Sequence, residues 1–161
     1  MSGWNETPEE VAKRLKRCRA ELGGWLRKYE WSHWATLTVD RVWSPERLVR
    51  ALTDRFVRFA TKATQGPVPY VYVIEGGALG DRPHAHVLLS GTERLDATRL
   101  QAAWPHGRAR VEVYDPEQGA ANYLTKEFGG KALDYGQSRR LPPLRLDDCQ
   151  HRAGSTTDGF R

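Results

Sequence analysis

Residues 69–75 read PYVYVIE, residues 83–89 read PHAHVLL, and the loop GGALGDR joins these two runs. The first run is rich in β-branched and aromatic residues and predicts a strand, and the second predicts the strand that follows. A connection this short predicts an antiparallel hairpin. Because side chains alternate along a strand, His84 and His86 project from one face and the apolar residues between and after them line the other.

The flanking segments extend this hairpin into a larger sheet. Alternating residues predict strands at 33–40 and 108–114, and apolar residues at helical spacing predict helices at 44–66, 93–104 and 116–128. The order is β-α-β-β-α-β-α. It predicts an α+β, ferredoxin-like (RRM-like) antiparallel sheet with the histidines on a central strand.

An extra helix is expected at residues 7–29, before this core. Thr7, Pro8 and Glu10 form a capping-box pattern at its start. One apolar stripe follows, made of Val11, Leu15, Cys18, Leu22 and Leu26. A cationic cluster lies on the same helix: Lys13, Arg14, Lys16, Arg17 and Arg19. A solvated helix face and a phosphate-contacting stripe both fit that cluster.

Composition sets limits on the class of protein. The chain has 161 residues, 39% of them hydrophobic, and a formal net charge of +5. The apolar run at 68–74 is far shorter than the ~18–20 residues that cross a bilayer, and the N-terminus lacks the features of a secretory signal. Cys18 and Cys149 lie far apart and do not suggest a disulfide framework. These features predict a single domain in a reducing, cytoplasmic compartment, without membrane partners.

Glu75 is a candidate third ligand, a carboxylate that would join the two histidines. A hairpin centred on its loop pairs Glu75 with His84, which brings a carboxylate beside two imidazoles. Such a set leaves coordination positions open for water and substrate, and nitrogen with oxygen ligands fits Mn²⁺ or Mg²⁺. Ligand type leaves Zn²⁺ and Fe²⁺ open. The alternative is that Glu75 is an exposed strand end.

Tyr123 and Lys126 are the second pair of candidate residues. On a helical wheel both lie off the apolar face of the last helix, three residues apart. A phenol is a poor nucleophile at neutral pH because its pKa is about 10, but a divalent cation at the target phosphate and a nearby ammonium would compensate. A packing tyrosine at the rim of the core and a plain surface lysine are the alternatives.

Three stretches follow one another in a set order: WATLT at residues 34–38, PHAHV at 83–87 and YLTK at 123–126. In type, order and spacing they resemble the motifs of the HUH-superfamily endonucleases. Within that superfamily they resemble the single-tyrosine rolling-circle replication initiators (Rep proteins) of plasmids, phages and small viruses. The resemblance extends over residues 33–130.

The resemblance implies metal-dependent nicking and joining of single-stranded DNA at a replication origin, through a covalent 5′-phosphotyrosine. Tyr123 would be the nucleophile and Lys126 would assist it, while His84, His86 and Glu75 would hold Mn²⁺ or Mg²⁺. Residues 31–130 would form the endonuclease domain, between a helical extension at 1–30 and a basic, disordered tail at 131–161. Four residues are candidate DNA contacts: Thr36, Thr38, Arg108 and Arg110.

Other functions stay open. A single-tyrosine HUH transposase shares the chemistry, although such enzymes commonly carry Gln where Lys126 stands. A non-catalytic module that binds single-stranded nucleic acid would need aromatic residues on the sheet, and Tyr70 and Tyr72 are the candidates. For an initiator, the expected partners are origin DNA, a host helicase and a host polymerase. The expected location is a prokaryotic cytoplasm, or the host nucleus for a eukaryotic virus.

Overall fold

The computed structural model describes residues 6–76, 82–119, 124, 132–139 and 141. Within these residues an antiparallel sheet carries helices on both faces. Its strands are β1 (His33–Leu37), β2 (Tyr70–Glu75), β3 (His84–Leu89), β4 (Ala109–Val113) and β5 (Ala132–Gln137). The helices are α1 (Pro8–Leu26), α2 (Pro45–Ala51), α3 (Arg58–Thr64) and α4 (Ala97–Ala102). A π-helical turn (Leu52–Val57) joins α2 to α3, and a 3₁₀ turn spans Pro116–Gln118.

The strand order is β4-β1-β3-β2-β5, and every pairing is antiparallel. The first four strands in this order form the ferredoxin-like arrangement. The helical connection from β1 to β2 leaves a space between these two strands, and β3 occupies it. The predicted α+β fold is confirmed. The histidine motif is also confirmed on a central strand, since β3 lies between β1 and β2.

Strand alternation divides the interior into two cores. On one face the sheet packs against α2, α3 and α4, through residues that include Leu48, Phe56 and Leu100. On the other face, the one that bears the histidines, Val71, Val73 and Leu88 pack against α1. This second core contains these buried residues: Cys18, Leu22, Leu26, Trp31, Leu124 and Leu141.

Helix α1 begins as its sequence predicts. The Thr7 side chain accepts a hydrogen bond from the Glu10 backbone, and the Glu10 carboxylate accepts one from the Thr7 backbone. These bonds satisfy amide groups that have no partner in the first turn.

Cys18 is fully buried and is disulfide-bonded. The separation of the two cysteines along the chain does not suggest a disulfide, so this bond corrects the prediction; the partner of Cys18 lies outside the described residues.

Two predicted helices have different boundaries. The helix expected over 44–66 runs over residues 45–64 and is interrupted by the π turn. The wider hydrogen-bond loop of this turn shifts the buried face of the following residues by one position relative to a regular α-helix. Val57 and Ala60 are therefore buried, and Ala63 is only half-buried. The helix expected over 93–104 spans only Ala97–Ala102, because the Asp96 side chain caps it by accepting from the Thr98 backbone.

The end of the chain departs most from its prediction. The helix expected from Pro116 to Phe128 is only a 3₁₀ turn at first, which ends at Gly119 with a φ of 74°. Residues 132–137, assigned to a disordered tail, instead form β5 on the free edge of β2. A short segment with a mid-strand glycine lacks the strand pattern on its own, and pairing with β2 supplies the ordering free energy. The division at residue 131 is therefore wrong for this segment.

Gly107 lies where the chain passes closest to β1. A Cβ atom there would overlap the backbone carbonyl of Thr38, which also accepts the indole hydrogen bond of Trp104 at 2.7 Å.

We expect Gly107→Ala to lower the free energy of unfolding by about 1–3 kcal/mol, as measured by urea unfolding. Gly24→Ala, in open space within α1, should raise it by about 0.5–1 kcal/mol. Equal effects of the two substitutions would contradict this packing.

His33 makes the stability depend on pH. It is 2% exposed, its Nδ1 lies 2.7 Å from Oγ1 of Thr92, and burial lowers its pKa although Glu93 and Asp96 act in the opposite direction. The unfolded chain then binds the proton more tightly, so stability is lost as the pH falls through the unperturbed value of about 6.5.

We expect urea unfolding at pH 7.5 and pH 5.5 to show this loss in the wild type and a smaller loss in His33→Gln. The variant lacks the His33 imidazole and its interaction with Glu93, so the difference between the two proteins measures the contribution of His33 and of that interaction. An identical loss in wild type and variant would remove His33 as the cause.

Candidate metal centre

The β2–β3 register brings three ionisable side chains together. Glu75 pairs with His84 and Val73 pairs with His86, so the side chains of these four residues all lie on one face. The sequence-based pairing of Glu75 with His84 is confirmed. On its other side Glu75 borders a register shift in β5, between the partners of Ile74 and Glu75, and such irregularities redirect side chains near functional sites.

The three side chains are in contact. Oε2 of Glu75 lies 2.8 Å from Nε2 of His84 and 3.0 Å from Nε2 of His86. One ligand atom from each residue lies within 4.8 Å of the others. Glu75 and His86 are buried at 6% and 2% exposure, whereas the His84 side chain is 28% exposed. The cluster therefore opens to solvent on the side of His84.

The donor set fits a divalent cation. Oε1 of Glu75 is buried and accepts no hydrogen bond from any residue that the structure describes. An uncompensated buried carboxylate oxygen is costly, and a cation held by Glu75, His84 and His86 would remove that cost. Two imidazole nitrogens with carboxylate oxygen and no thiolate suit Mn²⁺, Mg²⁺, Zn²⁺ or Fe²⁺.

Thr36 orients one of these ligands. It pairs with His86 across β1 and β3, and its Oγ1 lies 3.2 Å from Nδ1 of His86. This contact holds the ring so that Nε2 faces the cluster, as outer-sphere hydrogen bonds do in metal sites. The sequence predicts Thr36 as a DNA contact, and the structure adds this positioning role, which depends on the β1–β3 register.

The other three candidate DNA contacts differ in how freely they can reach a ligand. The Thr38 hydroxyl donates to the Arg108 carbonyl at 2.9 Å and accepts from the Arg108 backbone at 3.2 Å, so it joins the ends of β1 and β4. Arg110 is exposed and pairs with Glu112 at 2.8 Å. The Arg108 side chain is exposed, and no described residue forms an ion pair with it.

Tyr123 and Lys126 lie outside the described residues, so their predicted roles stay predictions. The neighbouring Leu124 is described: it is helical, buried and packed in the core of the histidine-bearing face. It lines a small gap together with these residues: Leu22, Leu26, Val71, Val73 and Tyr135. Leu22 and Leu26 of helix α1 therefore pack in the same core as Leu124, the residue next to Tyr123 in the sequence.

The aromatic pair required by the binding-module alternative lies on the opposite face. Tyr70 and Tyr72 stack with their ring centroids 6.4 Å apart, and both pack in the core that contains α2, α3 and α4. Tyr72 is only 3% exposed, and burial raises the pKa of Tyr70. Neither ring lies beside the metal cluster.

Among the described residues, no helix has the length and apolar character needed to cross a membrane.

Comparisons with known proteins identify the family. One solved structure that matches is the hypothetical protein ORF119 from Sulfolobus islandicus rod-shaped virus 1, at 17% identity and a TM-score of 0.44. The match covers 70% of this chain and 91% of that one. No curated protein sequence matches significantly. The family model described as replication-associated protein ORF2 matches residues 32–131, more than half of the chain. The chain therefore belongs to the replication-associated protein ORF2 family.

Proposed function

We propose that this protein is a single-tyrosine HUH endonuclease that nicks and rejoins single-stranded DNA to initiate rolling-circle replication. The observation that carries the proposal is the Glu75–His84–His86 cluster on adjacent antiparallel strands, in a chain of a replication-associated family. The order of the motifs WATLT, PHAHV and YLTK supports the same conclusion. The packing of Leu124 on the histidine-bearing face supports a role there for the segment that contains Tyr123.

In the proposed reaction the Tyr123 oxygen attacks a phosphorus of the DNA backbone. A Tyr–O–P bond forms while the bond from phosphorus to the 3′ oxygen breaks, and that oxygen takes up a proton to leave a 3′-OH and a 5′-phosphotyrosine. The Lys126 ammonium favours the phenolate form of Tyr123. Attack of a 3′-OH on the phosphotyrosine reverses these steps and rejoins the strand, so the energy of the phosphodiester is conserved.

The metal cluster would hold Mn²⁺ or Mg²⁺ through Glu75, His84 and His86. A bound divalent ion supplies positive charge where negative charge develops on the phosphoryl oxygens. Origin DNA would be the substrate, a host helicase would unwind the duplex, and a host polymerase would extend the 3′-OH that nicking exposes.

Two other functions give different results. A transposase of the same superfamily would form the same phosphotyrosine but would act on transposon ends, so the architecture of the DNA that the protein cleaves separates it from an initiator. A non-catalytic binding module would bind single strands without forming an adduct in any divalent metal. The position of Tyr70 and Tyr72 away from the cluster does not favour that module.

The metal ligands can be tested by Mn²⁺ titration calorimetry. We expect His86→Ala to abolish binding, because it removes a buried ligand. Thr36→Val keeps the shape of the side chain but loses the contact with Nδ1 of His86, and should weaken Mn²⁺ binding by about 10–100-fold. His106→Ala, which changes a histidine that contacts Trp43 and Trp104 instead, should bind like the wild type. Undiminished binding by His86→Ala would exclude this site.

The nucleophile can be tested by trapping it on DNA. Wild-type protein mixed with single-stranded oligonucleotides and Mn²⁺ should give a band that stays retarded after boiling in a denaturing gel. Tyr123→Phe should lose this band and still bind DNA, because only the attacking oxygen is removed. Tyr114→Phe serves as the matched control and should keep the band, while EDTA should abolish it. Adduct formation by Tyr123→Phe would exclude Tyr123 as the nucleophile.

A further inference from the structure

A groove opens beside the exposed ligand of the metal cluster. Its volume is about 360 Å³ and its lining includes Thr38, Asp40, Arg82, His84 and Arg108. This is within the size range of ligand sites, about 300–1,000 Å³. Because His84 both lines the groove and belongs to the cluster, a ligand in the groove lies directly next to anything bound by the three metal ligands.

The sheet register explains why these residues meet. Leu37 pairs with Ala85 on one side and with Ala109 on the other, so the next row across the sheet runs through Arg108, Thr38 and His84. Two interstrand spacings, about 10 Å, separate Arg108 from His84 along this row. Arg82 lies two residues before His84, just ahead of β3, and lines the same groove.

The charges in the groove favour an anion. Arg82 and Arg108 are both exposed, and none of the described residues forms an ion pair with either. Arg110, on the same strand as Arg108, is instead neutralised by Glu112. Among the described residues that line the groove, two guanidinium groups face the single carboxylate of Asp40, so the net charge of this lining is positive. A guanidinium is a planar fork of donors that matches the oxygens of a phosphate.

We propose that this groove binds the phosphate that directly adjoins the scissile phosphate of the DNA strand, through Arg82 and Arg108. The inference rests on the proposed nicking function and assigns a substrate subsite to it. Fixing the neighbouring phosphate places the scissile one at the metal cluster, so the two arginines position the substrate. The contact is with the backbone, and it therefore acts on any base sequence.

The first test measures affinity and its salt dependence. A labelled oligonucleotide that contains the cleavage site is titrated in EDTA, which prevents cleavage, at several salt concentrations. Arg82→Gln and Arg108→Gln should each weaken binding about tenfold, as expected for loss of a charged hydrogen bond. Each should also reduce the slope of log affinity against log salt by about 0.7. Arg108→Lys should keep the slope, since the charge remains, and lose part of the affinity.

Arg58→Gln is the matched control, because Arg58 is exposed on α3, on the opposite face of the sheet. It should bind within about twofold of the wild type. Thermal melting of each variant confirms that it is folded. Arg82 and Arg108 variants that match Arg58→Gln in affinity and slope would overturn the proposal.

The second test locates the phosphate. Each phosphate of the oligonucleotide is replaced in turn by an uncharged methylphosphonate, and binding is measured with wild type and with Arg108→Gln. Replacement at the position next to the cleaved phosphate should cost the wild type more than tenfold and should cost Arg108→Gln about tenfold less than the wild type, because the variant has already lost one of the two arginine contacts with that phosphate. Additive losses at that position would overturn the assignment.

The outcomes also separate this proposal from the function on which it rests. Adduct formation by the wild type together with unaffected arginine variants overturns the groove and leaves nicking intact. A wild type that forms no adduct on any oligonucleotide overturns the nicking function and the subsite with it. Adduct formation, reduced salt slopes and a non-additive neighbouring phosphate together support both.

Discussion

The pairing of β2 with β3 fixes which side chains meet on the histidine-bearing face of the sheet. Its register sets Glu75 opposite His84, and a shift of one residue would turn Glu75 to the other face while the histidines stayed in place. The register between β1 and β3 is a second alignment, and it brings Thr36 to His86 and Thr38 to the row of His84. The two alignments on either side of β3 together determine the metal ligands, the residue that orients one of them and the groove beside them.

The histidine-bearing face serves both packing and chemistry. Along β2 and β3 the residues farther from the hairpin loop, Val71 and Leu88, are covered by α1, whereas the residues nearest the loop form the polar cluster. This division explains how a carboxylate can be 6% exposed and still lie beside an accessible histidine. It also gives α1 a structural role, since Leu22 and Leu26 pack in the same core as Leu124.

The sequence predicts the ligands well because they depend on local periodicity. Alternation along one strand and the symmetry of one hairpin are sufficient to bring His84, His86 and Glu75 together. Features that depend on contacts between distant segments could not be predicted. The strand β5 has no strand pattern without β2, the π turn is invisible to a regular helical wheel, and the contact of Thr36 with His86 requires the β1–β3 register. Arg82 belongs to this group as well, since only the fold places it in the same groove as Arg108.

The unequal burial of the three ligands bears on how an ion would exchange. Glu75 and His86 are buried, whereas His84 is partly exposed. A cation would therefore enter and leave the cluster on the side of His84, through the same opening that leads to the groove. A DNA strand lying in that groove would obstruct the path, and a bound substrate would slow the exchange of the ion even if it left the equilibrium affinity unchanged.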